Sequence, residues 1–198
     1  ASEGADGARV MFLLALASAC QSIRIANAYF IPDALAVRTL VEARQRGVSV
    51  EIITPGERID ERVVRMVGRG QWGPLLEAGV RFYEYQPTRF HCKYMILDER
   101  WVSAGSANFD DRSLRLNDEA NPNVLDSAFA ADQIRLFVDD RAHATRIDFA
   151  PFHPRPAFHR FRQVAAHLLA PLPPLATCRP APTAPPRAHR RPRPAGAP

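Results

Sequence analysis

A chain of 198 residues, 46% hydrophobic and 24% charged, can build one ordinary core and is too short for two comfortable ones. Its formal charge of +5 arises in residues 171–198, where Arg179, Arg187, Arg190, Arg191 and Arg193 stand without an acid; the rest balances at 21 basic against 21 acidic side chains, so the total charge does not imply a basic binding face on the folded body. Cys20, Cys92 and Cys178 fall in no metal or redox spacing, which argues against a disulfide framework or a zinc site and fits a reducing compartment.

The longest apolar run, Val10 to Cys20, is about half of the roughly 20 residues a membrane-spanning helix needs. Gly4, Asp6 and Gly7 precede it, with Arg9 the single basic residue there and no basic n-region, so neither a span nor a signal peptide is expected. Val10 to Ser22 reads as a covered apolar helix, and Ile23 to Tyr29 as a strand stopped by Pro32 and Asp33. Asp33 is placed to cap the next helix, where Val37, Leu40, Val41 and Arg44 recur at helical spacing before Gly47 ends it. Val48 to Thr54 then reads as an interior strand covered on both faces. Strand, helix and strand in that order predict a right-handed crossover unit.

A second helix is expected after Asp60, with Val63, Val64 and Val67 on one side and a break near Gly68 and Gly70. A short helix over Pro74 to Ala78 ends at Gly79, and Val80 to Tyr85 is extended. Lys93 to Leu97 and Trp101 to Ala104 form a hairpin around Asp98, Glu99 and Arg100. Ala128 to Phe137 is helical, with Ala130, Ile134 and Phe137 inward. Beyond Ala150, Pro151, Pro154 and Pro156 interrupt the pattern, and Phe158 to Leu169 offers one more amphipathic helix. Residues 171–198 are rich in Pro, Ala and Arg and are expected to be disordered, having too little apolar content to offset their ordering entropy. The alternation of helical and extended segments predicts an α/β layer architecture.

One string carries chemistry: His91-x-Lys93, then Asp98, then Gly105-Ser106-x-Asn108. Residues two apart on a strand share a face, so His91 and Lys93 point one way, while Cys92 and Tyr94 point the other. Cys92 therefore reads as a packed thiol. Asp98, an odd number of residues from both, cannot share their face on a straight strand and is expected to fix the turn. Neutral imidazole is a competent nucleophile near neutral pH, and an ammonium beside it can neutralise a non-bridging phosphate oxygen. Gly105 permits a close backbone approach, and Ser106 and Asn108 add neutral donors for a phosphate. Lys93 lowers the proton affinity of a neighbouring imidazole, so a carboxylate is needed to orient that ring, and Glu119 is the candidate.

This string resembles the signature of the phospholipase D superfamily. Its surroundings, Tyr29-Phe30-Ile31-Pro32-Asp33, Arg46-Gly47-Val48-Ser49-Val50, Leu75-Leu76-Glu77-Ala78-Gly79-Val80, Gly105 to Ser113, and Asn117-x-Glu119, resemble the carboxyl-terminal half of the bacterial cardiolipin synthase branch over about residues 8–170. Ala28 stands where those synthases commonly have Pro. The resemblance implies a phospholipase D-like mixed β-sheet flanked by helices on both faces, a catalytic domain over residues 1–170, and a tail over 171–198.

It also implies phosphatidyl transfer by a ping-pong route through a phosphohistidine, with no metal and no cofactor. Carried over by position, His91, Lys93, Asp98 and Glu119 are the catalytic-motif residues, with Asp98 structural and Glu119 orienting His91. His91, Lys93, Ser106 and Asn108 bind the phosphate. Members of the family carry two such motifs, and the first-half His is usually the nucleophile, leaving His91 as general acid and base. Only one motif is present, so the expectation is a homodimer or a missing amino-terminal half. The implied substrate is a phospholipid such as phosphatidylglycerol. The implied location is cytoplasmic, peripheral at the inner face of the cell membrane.

Two other readings stay open at this stage: a phospholipase or nuclease in which water is the acceptor, and an inactive half that serves as a lipid-binding or interaction module. The balanced body disfavours nucleic acid as a partner. The arginine-rich tail would attract anionic lipid headgroups or nucleic acid without selecting between them, or could simply be solvated. The Phe158 to Leu169 helix either rests in a headgroup layer or packs on the core.

Overall fold

The computed structural model describes residues 5–58, 62–115, 117 and 119–148. The Phe158 to Leu169 helix and the 171–198 tail lie outside the described residues. In chain order the elements are α1 (Ala5–Ser18), β1 (Ser22–Asn27), β2 (Phe30–Ile31), α2 (Ala34–Gln45), β3 (Ser49–Pro55), α3 (Arg62–Gln71), α4 (Gly73–Glu77), β4 (Arg81–Tyr85), β5 (Lys93–Leu97), β6 (Trp101–Ala104), β7 (Phe109–Asp110), α5 (Asp111–Arg115), β8 (Asn123–Leu125), α6 (Ser127–Ala142) and β9 (Ala144–Ile147).

Seven strands form one mixed sheet in the order β8-β6-β5-β1-β3-β4-β9. The pairs β1 with β3 and β3 with β4 are parallel, as a crossover unit requires. The β5 and β6 pair is the expected hairpin, and β1 with β5 is antiparallel. Helices cover both faces. On one face Phe12 and Leu16 of α1, Leu40 of α2 and Leu75 of α4 pack against Ile23, Ile25, Val50, Ile52 and Phe82. On the other, Ala130 and Phe137 of α6 pack against Ala26, Ile53, Ile96 and Val102. This is the mixed sheet flanked by helices that the resemblance implies.

Local chemistry explains most boundaries. Asp33 caps α2 by accepting the Ala36 N–H at 2.7 Å, and Gly47 takes the left-handed conformation (φ 91°) that ends it. Asp126 caps α6 by accepting the Phe129 N–H at 2.7 Å. Two expectations are corrected. The first helix ends at Ser18, not Ser22, because the N–H groups of Cys20, Gln21 and Ser22 are captured by a distant carboxylate, Asp98. Gly68 and Gly70 do not break α3. A Cβ at Gly68 would stand 2.8 Å from the Phe30 carbonyl oxygen, so glycine there lets the helix approach β2.

The interior strand β3 carries a charge that its β-branched neighbours conceal. Glu51 is buried, and Arg141 (2.7 Å), Arg81 (3.4 Å) and Arg24 (3.8 Å) surround it, with the Tyr83 hydroxyl donating at 3.3 Å. A buried carboxylate survives there because it is paired and hydrogen-bonded. Ala28 donates its N–H to the Cys92 carbonyl at 2.9 Å, a bond that proline at that position could not make.

Candidate active site

The site forms where β1 and β5 meet the loop after β6. Asn27 and Lys93 are directly paired across the two strands. Lys93, Met95 and Leu97 share a face: Met95 and Leu97 belong to the core beneath α1 and α2, whereas Cys92 and Tyr94 pack toward α6. The alternation expected from sequence therefore holds through β5. Burial pushes the Cys92 thiol up, and the nearby Asp140 charge adds to that, so Cys92 is a poor nucleophile.

His91 sits just before β5 on an exposed stretch of coil, and its ring meets the edge of Tyr29 at a centroid distance of 6.1 Å. Lys93 lies closer in, with its Nζ 3.5 Å from the His91 carbonyl oxygen. Burial lowers the Lys93 ammonium below its ordinary value, and the Glu119 charge opposes that drop.

Glu119 is held on the Lys93 side. It accepts the Ser113 hydroxyl at 2.7 Å and the Asn117 side-chain amide at 3.2 Å. Its partial burial would raise the carboxyl, but bonds from Ser106, Ser113 and Asn117 and the Lys93 charge outweigh that and hold it below the usual carboxylate range. Among the described residues no hydrogen bond joins Glu119 to His91, contrary to the sequence expectation. The reason is geometric: His91 precedes the strand and leans on Tyr29, while three donors anchor Glu119 beside Lys93.

Ser106 and Asn108 lie on the loop that faces Glu119. The Ser106 hydroxyl accepts the Ala120 N–H at 3.0 Å, and Ala107 donates its N–H to Asn121 Oδ1 at 3.0 Å. Asn108 donates its N–H to Ser113 Oγ at 2.8 Å, and its own Oδ1 is buried without a partner. Gly105 allows a close approach, but to protein: a Cβ there would run into the Ala120 carbonyl and stand 2.7 Å from Asn121 Oδ1.

Asp98 is elsewhere. Five residues of extended chain, about 16 Å, separate it from Lys93. Its oxygens accept N–H bonds from Gln21 (2.7 Å), Cys20 (2.9 Å) and Ser22 (2.9 Å), and it adopts a left-handed φ of 49° at the hairpin. Burial would raise its carboxyl, but those three bonds and Arg100 hold it down. Strand parity and the resemblance both lead to the expectation of a structural Asp98, and its contacts are to the backbone that opens β1.

Sequence reasoning missed three residues. Asn27, buried at the end of β1, accepts the N–H groups of Tyr29 and Phe109, both at 3.1 Å, and so joins the two loops. Ser113 links Asn108 to Glu119, and Asn121 holds Ala107. Each is a polar residue in a polar stretch, and only the folded chain reveals its partner.

Residues 12–141 match the family described as cardiolipin synthase, PLD-like domain. The chain is 38% identical over 162 residues to the cardiolipin synthase of Alkalihalophilus pseudofirmus and 35% identical to that of Geobacillus kaustophilus, in each case covering 82% of this chain and 32% of the relative. It therefore spans about a third of the length of the curated relatives it matches. Among solved structures, Nuc from Salmonella typhimurium, a phospholipase D family member, is 24% identical with a TM-score of 0.61, covering 71% of this chain and 90% of that one. The phosphatidylserine synthase of Haemophilus influenzae is 15% identical with a TM-score of 0.61, covering 81% of this chain and 43% of that one. Both likenesses concern the fold. With two thirds of its length matched by the family description and the sheet of those folds in place, the chain belongs to the cardiolipin synthase, PLD-like domain family.

Proposed function

We propose that this chain supplies one catalytic half of a phosphatidyltransferase that moves a phosphatidyl group from one phospholipid to the hydroxyl of another. The observation that carries the reading is that Lys93, part-buried and with Glu119 opposing the loss of its charge, brings its ammonium to 3.5 Å from the backbone carbonyl of the exposed His91, in a chain of this family. In the first step an imidazole attacks phosphorus: a P–N bond forms, the P–O bond to the departing alcohol breaks, and the second imidazole gives that oxygen a proton. In the second step the acceptor hydroxyl returns a proton to that imidazole as its oxygen attacks phosphorus: a P–O bond forms, the P–N bond of the phosphohistidine breaks, and the nucleophilic imidazole is released. His91 takes the acid and base part. Lys93 lies against a non-bridging oxygen, and Asn108 and Ser106 offer donors to the other.

One such motif is half of this cycle, so the second imidazole comes from another copy or another segment. Among the described residues no helix is long and apolar enough to cross a membrane, and the proposed substrates are met at a phospholipid surface. The intact protein incubated with phosphatidylglycerol vesicles should yield cardiolipin and free glycerol in equal amounts by mass spectrometry. Absence of both overturns the reading.

A second reading, hydrolysis by a two-fold dimer, is favoured by one comparison: this fold covers 90% of the Salmonella typhimurium Nuc chain, so a chain of about this size can hold the whole of that protein's fold. Release of phosphatidic acid without cardiolipin, from a protein that sediments as a dimer, would select it.

A further inference from the structure

Asn27 closes β1 with a polar side chain that is only 3% exposed, and a buried amide must find partners for its donors and acceptor. It finds them on the backbone of two separate loops. Its Oδ1 accepts the Tyr29 N–H and the Phe109 N–H, both at 3.1 Å, and its Nδ2 lies 3.5 Å from the Ala107 carbonyl oxygen. We propose that Asn27 is a positioning residue for the reaction and acts through Tyr29: one side-chain oxygen sets the place of the His91 ring relative to the loop that carries Ser106 and Asn108. The assignment deepens the transfer reading and rests on it for the role of His91.

Both sides of the site are tied to this amide. On the imidazole side, the Tyr29 ring meets the His91 ring at a centroid distance of 6.1 Å and an interplanar angle of 85°. His91 is exposed and Glu119 is anchored beside Lys93, so the edge-on Tyr29 ring, a partner with a directional preference, limits how the imidazole turns. Tyr29 is itself held by Asn27 and by the preceding rung, where the Ala28 N–H meets the Cys92 carbonyl at 2.9 Å. On the loop side, Gly105 donates its N–H to the Lys93 carbonyl at 3.1 Å and Phe109 donates to Asn27, so residues 105–109 are fastened at both ends. Asn27 and Lys93 are in turn partners across β1 and β5. An amide suits this position better than a carboxylate, because Nδ2 faces a carbonyl oxygen that a second carboxylate oxygen would repel.

The consequence for the chemistry is one of spacing. Proton transfer at the reacting oxygen requires the imidazole to stand at a set distance and angle from a phosphate that Lys93 and the loop donors hold. A misplacement of about 1 Å costs about a hundredfold in rate. Asn27 touches neither substrate nor imidazole, so its loss should act on the rate of the bound complex and fall on kcat more than on KM.

Two readouts on the intact protein test this. In the first, the His91 Cε1–H signal, identified by its loss in His91→Ala, is followed by proton NMR. Tyr29→Leu removes the ring current and should shift the signal, Tyr29→Phe should leave it in place, and Asn27→Ala should shift it in the same direction as Tyr29→Leu. Asp98→Ala, which weakens the fold at the other end of β5, should not move it. In the second, turnover is measured on phosphatidylglycerol vesicles. Asn27→Ala and Tyr29→Leu should each lower kcat at least about tenfold with KM within about threefold of native, and Tyr29→Phe should restore most of the loss. Tyr29 is part-buried, so its variants keep the test open if Asn27→Ala does not fold. A His91 signal unmoved in folded Asn27→Ala or in Tyr29→Leu, native kcat in Tyr29→Leu, or a loss confined to KM overturns the proposal. A native protein that transfers nothing, but whose His91 signal responds to these variants as expected, would overturn the transferase reading and leave the positioning of His91 standing.

Discussion

Ser113 gives its hydroxyl proton to Glu119 at 2.7 Å and accepts the Asn108 N–H at 2.8 Å, so one buried side chain ties the carboxylate to the loop that carries Ser106 and Asn108. The geometry of the candidate site depends on this link more than on any bond to His91. Replacing Ser113 with Ala leaves the Asn108 N–H and one Glu119 oxygen short of a partner. The expected outcome is a stability loss of about 1–3 kcal/mol together with reduced turnover. Thermal melting and turnover of Ser113→Ala, measured side by side, check it; a native-like melt with native turnover would show that the link is dispensable.

Asp98 should behave in the opposite way, affecting the fold and not the chemistry. Removing it as Asp98→Ala strands three backbone N–H groups between α1 and β1, and a cost of about 2 kcal/mol is expected, with catalysis per folded molecule retained. Its folded pKa lies below its unfolded one, so its contribution is present above the unfolded pKa and is lost as pH falls through the folded one. The stability gap between native protein and Asp98→Ala should therefore narrow on acidification, as read from urea melts at several pH values.

Lys93 gives the alkaline counterpart. Its folded pKa is lowered by burial, which disfavours the charged form in the native state; stability attributable to this group rises as pH climbs from below the folded pKa toward the unfolded one. Glu119 opposes that lowering. Glu119→Gln should move the alkaline limb of the rate profile to lower pH, because Lys93 then loses its proton earlier. A profile displaced upward, or not displaced, would mean that Glu119 does not sustain the Lys93 charge.

Gly105→Ala tests the packing of the loop. The added methyl meets the Ala120 carbonyl and Asn121, and since backbone cannot yield as a flexible side chain does, the Glu119 to Asn121 segment must shift away from Lys93. Turnover should drop at least about tenfold, with a stability loss of about 1–3 kcal/mol. Native turnover in this variant would show that the approach of these loops is not needed.

What could be read from the sequence was local. Asp33, Gly47 and the β-branched run of β3 act within a few residues of themselves, so the helix, strand and crossover around them were legible. The alternation of Met95 and Leu97 against Cys92 and Tyr94 was legible for the same reason, since alternation is a property of an extended chain. The end of α1 was not, because it depends on Asp98, 76 to 78 residues away from the N–H groups it captures. Gly68 looks like a helix breaker until Phe30 is seen against it. The two-residue strands β2 and β7 and the short β8 and β9 are made by pairing, not by propensity. At the site, the residue types were legible and the wiring was not: Glu119 is tied to Asn108 through Ser113, a connection with no local pattern to announce it.

The most direct test of the account is the product analysis of His91→Ala against the native protein on phosphatidylglycerol vesicles. Loss of both cardiolipin and free glycerol, with thermal melting unchanged because the ring is exposed, is the expected result. Continued turnover by a folded His91→Ala protein would contradict the assignment of His91 to the reaction.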